Sequence, residues 1–449
     1  MALIELDREA HLDPPHASRP PLSAYRRTGL LLALVLLAVL GGAAPAAAIR
    51  WRYLGAVTAS IAPDGPIQLA GGRLYTVDST GREPSVTAWG PAAPPVRLWT
   101  IEVPAGGERG IIPVASVTVR QAGDVVLLTA GVATTAVDAD TGLIRWSSPI
   151  AVTVLPGSGI GVTVDRVFRP GTEYDQESGD PGPLYFSATG EPHTEPPLRT
   201  EVRGLDLSDG RTLWTTTPGG SVTVDQVRGA EPAVLITSSR RLTLVAGRTG
   251  KPLRETELPQ FAGQGPASGS LLGDVALISY QNPGRQVAFE ARTLRQLWSR
   301  EVPELVADPA DCQDVLCDGE HGDLRVLDPG TGQARWGVQE DVDLAIRAGY
   351  VLETDAASGE PVRLADPRTG APRVDLAGWA GQVGGAADEP LLLSRKEKRG
   401  GRVFAAVVPG HAEIHRLGVA GSGLGECDSD AHYLVCRSSG GLRIWAYRV

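Results

Sequence analysis

Short apolar runs broken by turn residues recur along most of this chain, and the alternation has a strand period rather than a helical one. The stretch from Thr134 to Ile150 shows the unit most clearly. An apolar run closes on Asp138, a tight turn follows at Asp140-Thr141-Gly142, and a second run centres on Trp146. Turn residues between two β-prone runs predict a hairpin. The unit returns from Leu205 to Trp214, with Gly210 in its turn, and from Val326 to Trp336, with Gly332 in its turn. Weaker copies run from Thr249 to Arg254, from Arg292 to Trp298, and from Thr369 to Val374.

The spacing of these copies sets the expected fold. From Trp146 the equivalent positions are Trp214, Arg254, Trp298, Trp336 and Val374, at gaps of 68, 40, 44, 38 and 38 residues. All but the first gap match one four-stranded blade of a β-propeller. Further apolar runs upstream of the turns, such as Val125 to Leu128 and Leu391 to Leu393, supply inner strands. A small sheet cannot bury both its faces alone, so blades stack and the indole fills the seam between them. The turn glycine adopts a positive φ at little steric cost. The repeat residues Gly142, Trp146, Gly210, Trp214, Trp298, Gly332 and Trp336 are thereby assigned structural roles. The pattern predicts an all-β chain folded as an eight-bladed β-propeller, closed by pairing the C-terminal runs Tyr433 to Cys436 and Leu442 to Tyr447 with the segment after residue 49.

The N-terminus departs from this pattern. Leu30 to Ile49 carries no charge, and a helix of that length spans about 30 Å, the thickness of a bilayer's hydrocarbon core. Arg26 and Arg27 precede it, which favours a cytoplasmic N-terminus, although Arg50 and Arg52 follow on the other side. A cleaved signal peptide ending near Ala46-Ala47-Ala48 is the alternative, and Arg26-Arg27 loosely matches a twin-arginine signal. The expected organisation is a disordered cytoplasmic tail over 1–27, a single transmembrane signal anchor over 28–49, a linker or ring-closing segment over 50–66, and the propeller over 67–449, outside the cytoplasm.

Composition refines the picture in two ways. The 55 Gly and 35 Pro suit many short strands joined by turns. The net charge is −10, and the first 29 residues sum to zero, so all of it belongs to the remainder. An acidic domain without basic stripes argues against nucleic acid as a partner. Arginine outnumbers lysine heavily, Lys251, Lys396 and Lys398 being the only lysines, a bias that suggests a GC-rich bacterial genome.

The long gap before Trp214 holds an insertion near Phe168 to Thr200, rich in Pro and Gly and carrying Glu173, Asp175, Glu177 and Asp180. Loops of this length are often functional, but the acidic residues lack the spacing of an EF-hand. The 4 cysteines form two local pairs, Cys312 with Cys317 and Cys427 with Cys436, each near an inner-strand run. Their matching places in two repeats favour one disulfide within each blade, which suits an oxidising compartment. A zinc site built from all four thiolates is the alternative, against which the spacing speaks.

The runs Asp138-Ala139-Asp140-Thr141-Gly142-Leu143-Ile144-Arg145-Trp146 and Asp328 to Trp336 resemble the repeat of pyrroloquinoline-quinone-like (PQQ-like) β-propellers. The resemblance spans roughly residues 67 to 449. It implies a propeller fold and two kinds of function. Some relatives are dehydrogenases holding the quinone and a calcium ion in the central channel; others, including a scaffold subunit of outer-membrane protein assembly, only hold partners. The quinone pocket of the enzymes often carries a disulfide between adjacent cysteines, and no two cysteines are adjacent here. No C-x-x-C-H for haem, nucleophile elbow, Walker loop or H-E-x-x-H occurs. His11 and His16 fall in the tail, and His193, His321, His411, His415 and His432 show no metal-ligand spacing. The sequence therefore predicts a non-enzymatic, membrane-tethered scaffold or ligand sensor of the cell envelope, with no cofactor, no metal and an unidentified envelope partner or ligand. A PQQ-dependent dehydrogenase is the alternative.

Overall fold

In the computed structural model the residues described are 50–58, 67–81, 83–104, 117–175, 177, 179–219, 223–229, 231–302, 312–320, 322–338, 340–384, 387–398 and 400–448. The chain divides into two units, 1–48 and 49–449. The first lies wholly outside the described residues, and with it the expected tail and membrane segment. Among the described residues no helix is long and apolar enough to cross a membrane.

The second unit is a β-propeller with nine blades among the described residues. They span 68–102, 117–148, 153–216, 223–257, 268–301, 317–338, 342–375, 382–420, and finally 424–448 joined by 50–57. Eight hold four antiparallel strands, and the sixth shows three. The first strands of successive blades lie side by side around the axis. Gln68–Ala70 contacts both Val117–Ala122 of the second blade and Leu424–Ser429 of the ninth, which closes the ring. In the ninth blade the order runs from Leu424–Ser429 through Tyr433–Ser438 and Gly441–Arg448 to Arg50–Val57. The segment after residue 49 thus supplies the outermost strand, pairing Trp51 with Tyr447 and Val57 with Leu442.

The count of nine corrects the expected eight. The run Leu391 to Leu393 belongs to a complete blade of its own, separate from the closing blade. The expected number turned on how the closing blade is scored, and the fourth strand of the blade before it, Ile414–Ala420, carries Gly418 where the repeat places its indole.

The core is divided among the seams. Nine apolar clusters each draw on two adjacent blades. Successive residues of a strand point to opposite faces. In Val125–Ala130, Val126 and Leu128 accordingly pack toward the first blade while Val125 and Leu127 pack toward the third. Both faces are dry, which explains why the second strands read as unbroken apolar runs rather than alternating ones. Each Leu or Val so buried contributes about 1.5–3 kcal/mol.

Candidate functional site

The repeated turn joins the third and fourth strands of a blade, and its chemistry is local. The Asp138 carbonyl accepts from Gly142 N–H at 2.9 Å, while one carboxylate oxygen accepts from the N–H groups of Asp140 and Thr141 at 3.1 and 2.9 Å and from the Thr141 hydroxyl at 2.8 Å. The other oxygen accepts from Arg145 at 2.6 Å. Asp366 repeats the arrangement with Arg368, Thr369 and Arg373, and Asp328 with Gly330, Thr331 and Arg335. Hydrogen bonds from Arg145 and Arg373, with those of the turns, hold Asp138 and Asp366 well below the usual carboxylate range. The fifth residue sits at positive φ: +71° at Gly142, +74° at Gly210, +63° at Gly250, +68° at Gly332 and +69° at Gly370. Only glycine takes that conformation without strain.

Each of these glycines faces an indole of the preceding blade. A Cβ at Gly142 would lie 2.7 Å from Trp99, one at Gly210 2.7 Å from Trp146, and one at Gly250 2.6 Å from Trp214. Gly332 and Gly370 stand in the same way against Trp298 and Trp336. The indole N–H groups then donate across the seam: Trp99 to Ala139 O at 2.9 Å, Trp146 to Leu207 O at 2.8 Å, Trp214 to Gly247 O at 2.7 Å, Trp298 to Pro329 O at 2.8 Å and Trp336 to Pro367 O at 3.4 Å. Tryptophan and turn glycine are therefore one device, a ring from one blade on a bare backbone of the next.

Four seams depart from it. Arg254 holds the indole position in the fourth blade, and the next turn carries Leu294 at φ +57° instead of glycine. The seventh blade has Val374. At the closing blade the pair is inverted. Gly418 takes the indole position in the eighth blade, and Trp51 of the ninth approaches it, a Cβ there lying 2.3 Å from the ring. Gly55 takes that position in the ninth, where Pro95 of the first blade would stand 2.7 Å from a Cβ. Termini interrupt the usual turn here, so the large group has to come from elsewhere.

Disulfides join Cys312 to Cys317 and Cys427 to Cys436, and no cysteine is free. Cys427 and Cys436 face each other across the first two strands of the ninth blade. Cys312 lies beside Leu344 of the seventh blade, just ahead of the second strand of its own. The insertion forms its own small hairpin, Tyr185–Phe186 with Pro192–His193. His193 is buried, stacked on Phe168 at 3.8 Å, with its Nδ1 3.1 Å from the Thr172 hydroxyl. Asp175 and Asp180 accept from the N–H groups of Glu177 and Gly182, as turn residues do. His411 lies in a turn, His415 in a strand and His432 ahead of one, while His11, His16 and His321 lie outside the described residues. Among the described residues no group of three or more His, Cys, Asp or Glu is placed to hold a metal ion. Neither disulfide joins adjacent residues.

Two clefts open on the end of the ring that bears the insertion. One, of about 280 Å³, lies between the third and fourth blades under Ser187 and Ala188 of the insertion, floored by Leu155, Val162 and Val224. The other, of about 490 Å³, lies between the eighth and ninth blades and includes Tyr53, Val419, Ser439, Arg443 and Trp445. Three buried or half-buried carboxyls stand elsewhere. Burial pushes Asp225, Glu353 and Asp428 upward, Arg363 partly offsetting this at Glu353 through a 2.9 Å contact.

The family model described as "Outer membrane protein assembly factor BamB" matches residues 198–363, a stretch holding the turns at Gly210, Gly250 and Gly332. Over that stretch the chain resembles PQQ-like repeats. Among solved structures, BamB from Moraxella catarrhalis aligns at 14% identity over 88% of this chain and 99% of its own, with a TM-score of 0.38. Saccharomyces cerevisiae Sqt1 aligns at 11% identity over 83% and 98%, TM-score 0.42. A europium-containing methanol dehydrogenase aligns at 11% over 89% and 93%, TM-score 0.36. No curated protein matches. Likenesses this distant carry nothing about activity. The residues that sequence reasoning passed over are those of the closing seam: Trp51, Tyr53, Gly418, Arg443 and Trp445. Trp51 stands at the edge of the apolar N-terminal segment and outside any repeat copy, so no periodic signal marks it.

Proposed function

We propose that this chain is a membrane-tethered, extracytoplasmic scaffold of the cell envelope that holds a partner protein and performs no chemistry of its own. One observation carries the reading. The residues that define the repeat are spent on seams between blades, whereas the third blade adds a folded insertion that no seam requires. It is tied internally by Phe168, Thr172 and His193 and leaves Phe186 and Leu198 exposed. Rigid, exposed apolar groups on a stable ring are what a docking loop needs. The two local disulfides suit the oxidising side of the membrane.

The test replaces 169–197 by a short turn in the intact protein and compares covalent capture of neighbours in living cells. Loss of captured proteins with an unchanged unfolding midpoint supports the reading; an unchanged capture profile sinks it. Dye-linked dehydrogenase turnover after adding quinone and calcium would establish the enzymatic alternative instead.

A further inference from the structure

The larger cleft sits at the seam where the usual device is inverted. Gly418 replaces an indole there, and Val419, Ala420 and Gly421 follow it, so Val419 brings the one side chain larger than a methyl to that wall among the described residues. Trp51 occupies the space over Gly418, and the room beyond it stays open.

The opposite wall is chemically specific. Tyr53 is 51% exposed, yet its ring is held at 5.4 Å and 49° to Trp445, which stacks at 5.8 Å on Trp51, itself stacked at 5.6 Å on Phe404. An exposed ring fixed by a largely buried aromatic stack loses little freedom when something settles on it. Arg443 lines the same cleft, half-buried, and makes no hydrogen bond or ion pair among the described residues. Across the seam its Nη1 lies 3.7 Å from where a Cβ on Gly421 would stand. It is the one charged group among the described residues of the lining, in a chain of net charge −10. A guanidinium with its donors unspent is suited to a planar carboxylate. The Ser439 side chain stands exposed at the rim.

We propose that this cleft binds a saccharide unit bearing a carboxylate, its C–H face on Tyr53, its carboxylate on Arg443 and its hydroxyl groups toward the Ser439 rim. The open shape and the mixed lining suit a hydroxyl-rich ligand better than a buried apolar side chain.

The experiment uses the full-length protein in detergent and titrates a disaccharide ending in glucuronate, read by saturation-transfer NMR and tryptophan fluorescence. Parallel titrations use the same disaccharide with its carboxylate reduced to the alcohol, and an acidic tripeptide. The glucuronate probe binds, and the reduced sugar binds at least tenfold more weakly. Arg443→Gln lowers affinity at least tenfold, Arg443→Lys recovers part of it, and Tyr53→Ala abolishes the transfer signal, all with unchanged unfolding midpoints. No saccharide binding, equal binding of the reduced sugar, indifference to Arg443→Gln, or preference for the tripeptide would each overturn the proposal.

Discussion

Substituting Gly250 by alanine tests whether indole and turn glycine act as one device. Two costs are expected. Alanine at φ +63° costs about 1–2 kcal/mol for the left-handed backbone. The new methyl would also lie 2.6 Å from both Cγ and Cδ2 of Trp214, well inside van der Waals contact, so the indole has to move. Trp214 is buried, and its N–H is committed to Gly247 O at 2.7 Å. Overpacking adds about 1–3 kcal/mol, and a strained hydrogen bond about 1 more. The total is about 3–6 kcal/mol. Gly157 is the control, because it shares the conformation at φ +69° but has nothing within 4 Å of its Cβ position. Gly157→Ala should cost only the backbone share, about 1–2 kcal/mol. Trp214→Ala alone costs about 3–5 kcal/mol, and in that background Gly250→Ala should fall to the same backbone share. The cycle, measured by urea unfolding, then shows a coupling of about 2–4 kcal/mol. Equal costs at Gly250 and Gly157, or additive costs for Gly250 and Trp214, would refute the pairing.

Two further outcomes follow from the covalent and charged groups. Replacing Cys427 and Cys436 by serine should lower stability by about 2.6 kcal/mol on loop length alone, for a separation of 9 residues. It should exceed the effect of replacing Cys312 and Cys317, because the ninth blade also closes the ring; the reverse order in denaturant midpoints would contradict that. Arg363→Met leaves the buried Glu353 carboxylate without its counter-ion and with Glu340 nearby, at a cost of about 3 kcal/mol near neutral pH. The folded-state pKa of Glu353 is already raised by burial and rises further in the variant, so its ionised form opposes folding above the unfolded value near 4.3 and that opposition fades as pH falls. The stability difference from wild type should shrink between pH 8 and pH 5, and a pH-independent difference would rule the explanation out.

The sequence by itself determined the repeat unit and the fold class. Short apolar runs, a turn with glycine and a tryptophan a few residues later are local signals, readable within one blade. They are readable at Gly142 and Trp146 for the same reason that they work there. The local cysteine pairs were readable too, since both close within a few residues. Blade number was not, because it depends on blades whose marker is missing: Gly418 hides the eighth, and the ninth is assembled from both ends of the chain. Only the tertiary structure decided which residue faces which across a seam. It places Trp99 on Gly142 and Trp51 on Gly418, contacts between blades that no single repeat encodes. The cleft at Arg443 has the same origin. It arises where the end of one blade, Gly418 to Gly421, meets Arg443 and Trp445 of the next, and Trp51 and Tyr53 join them from nearly four hundred residues away along the chain only when the ring closes.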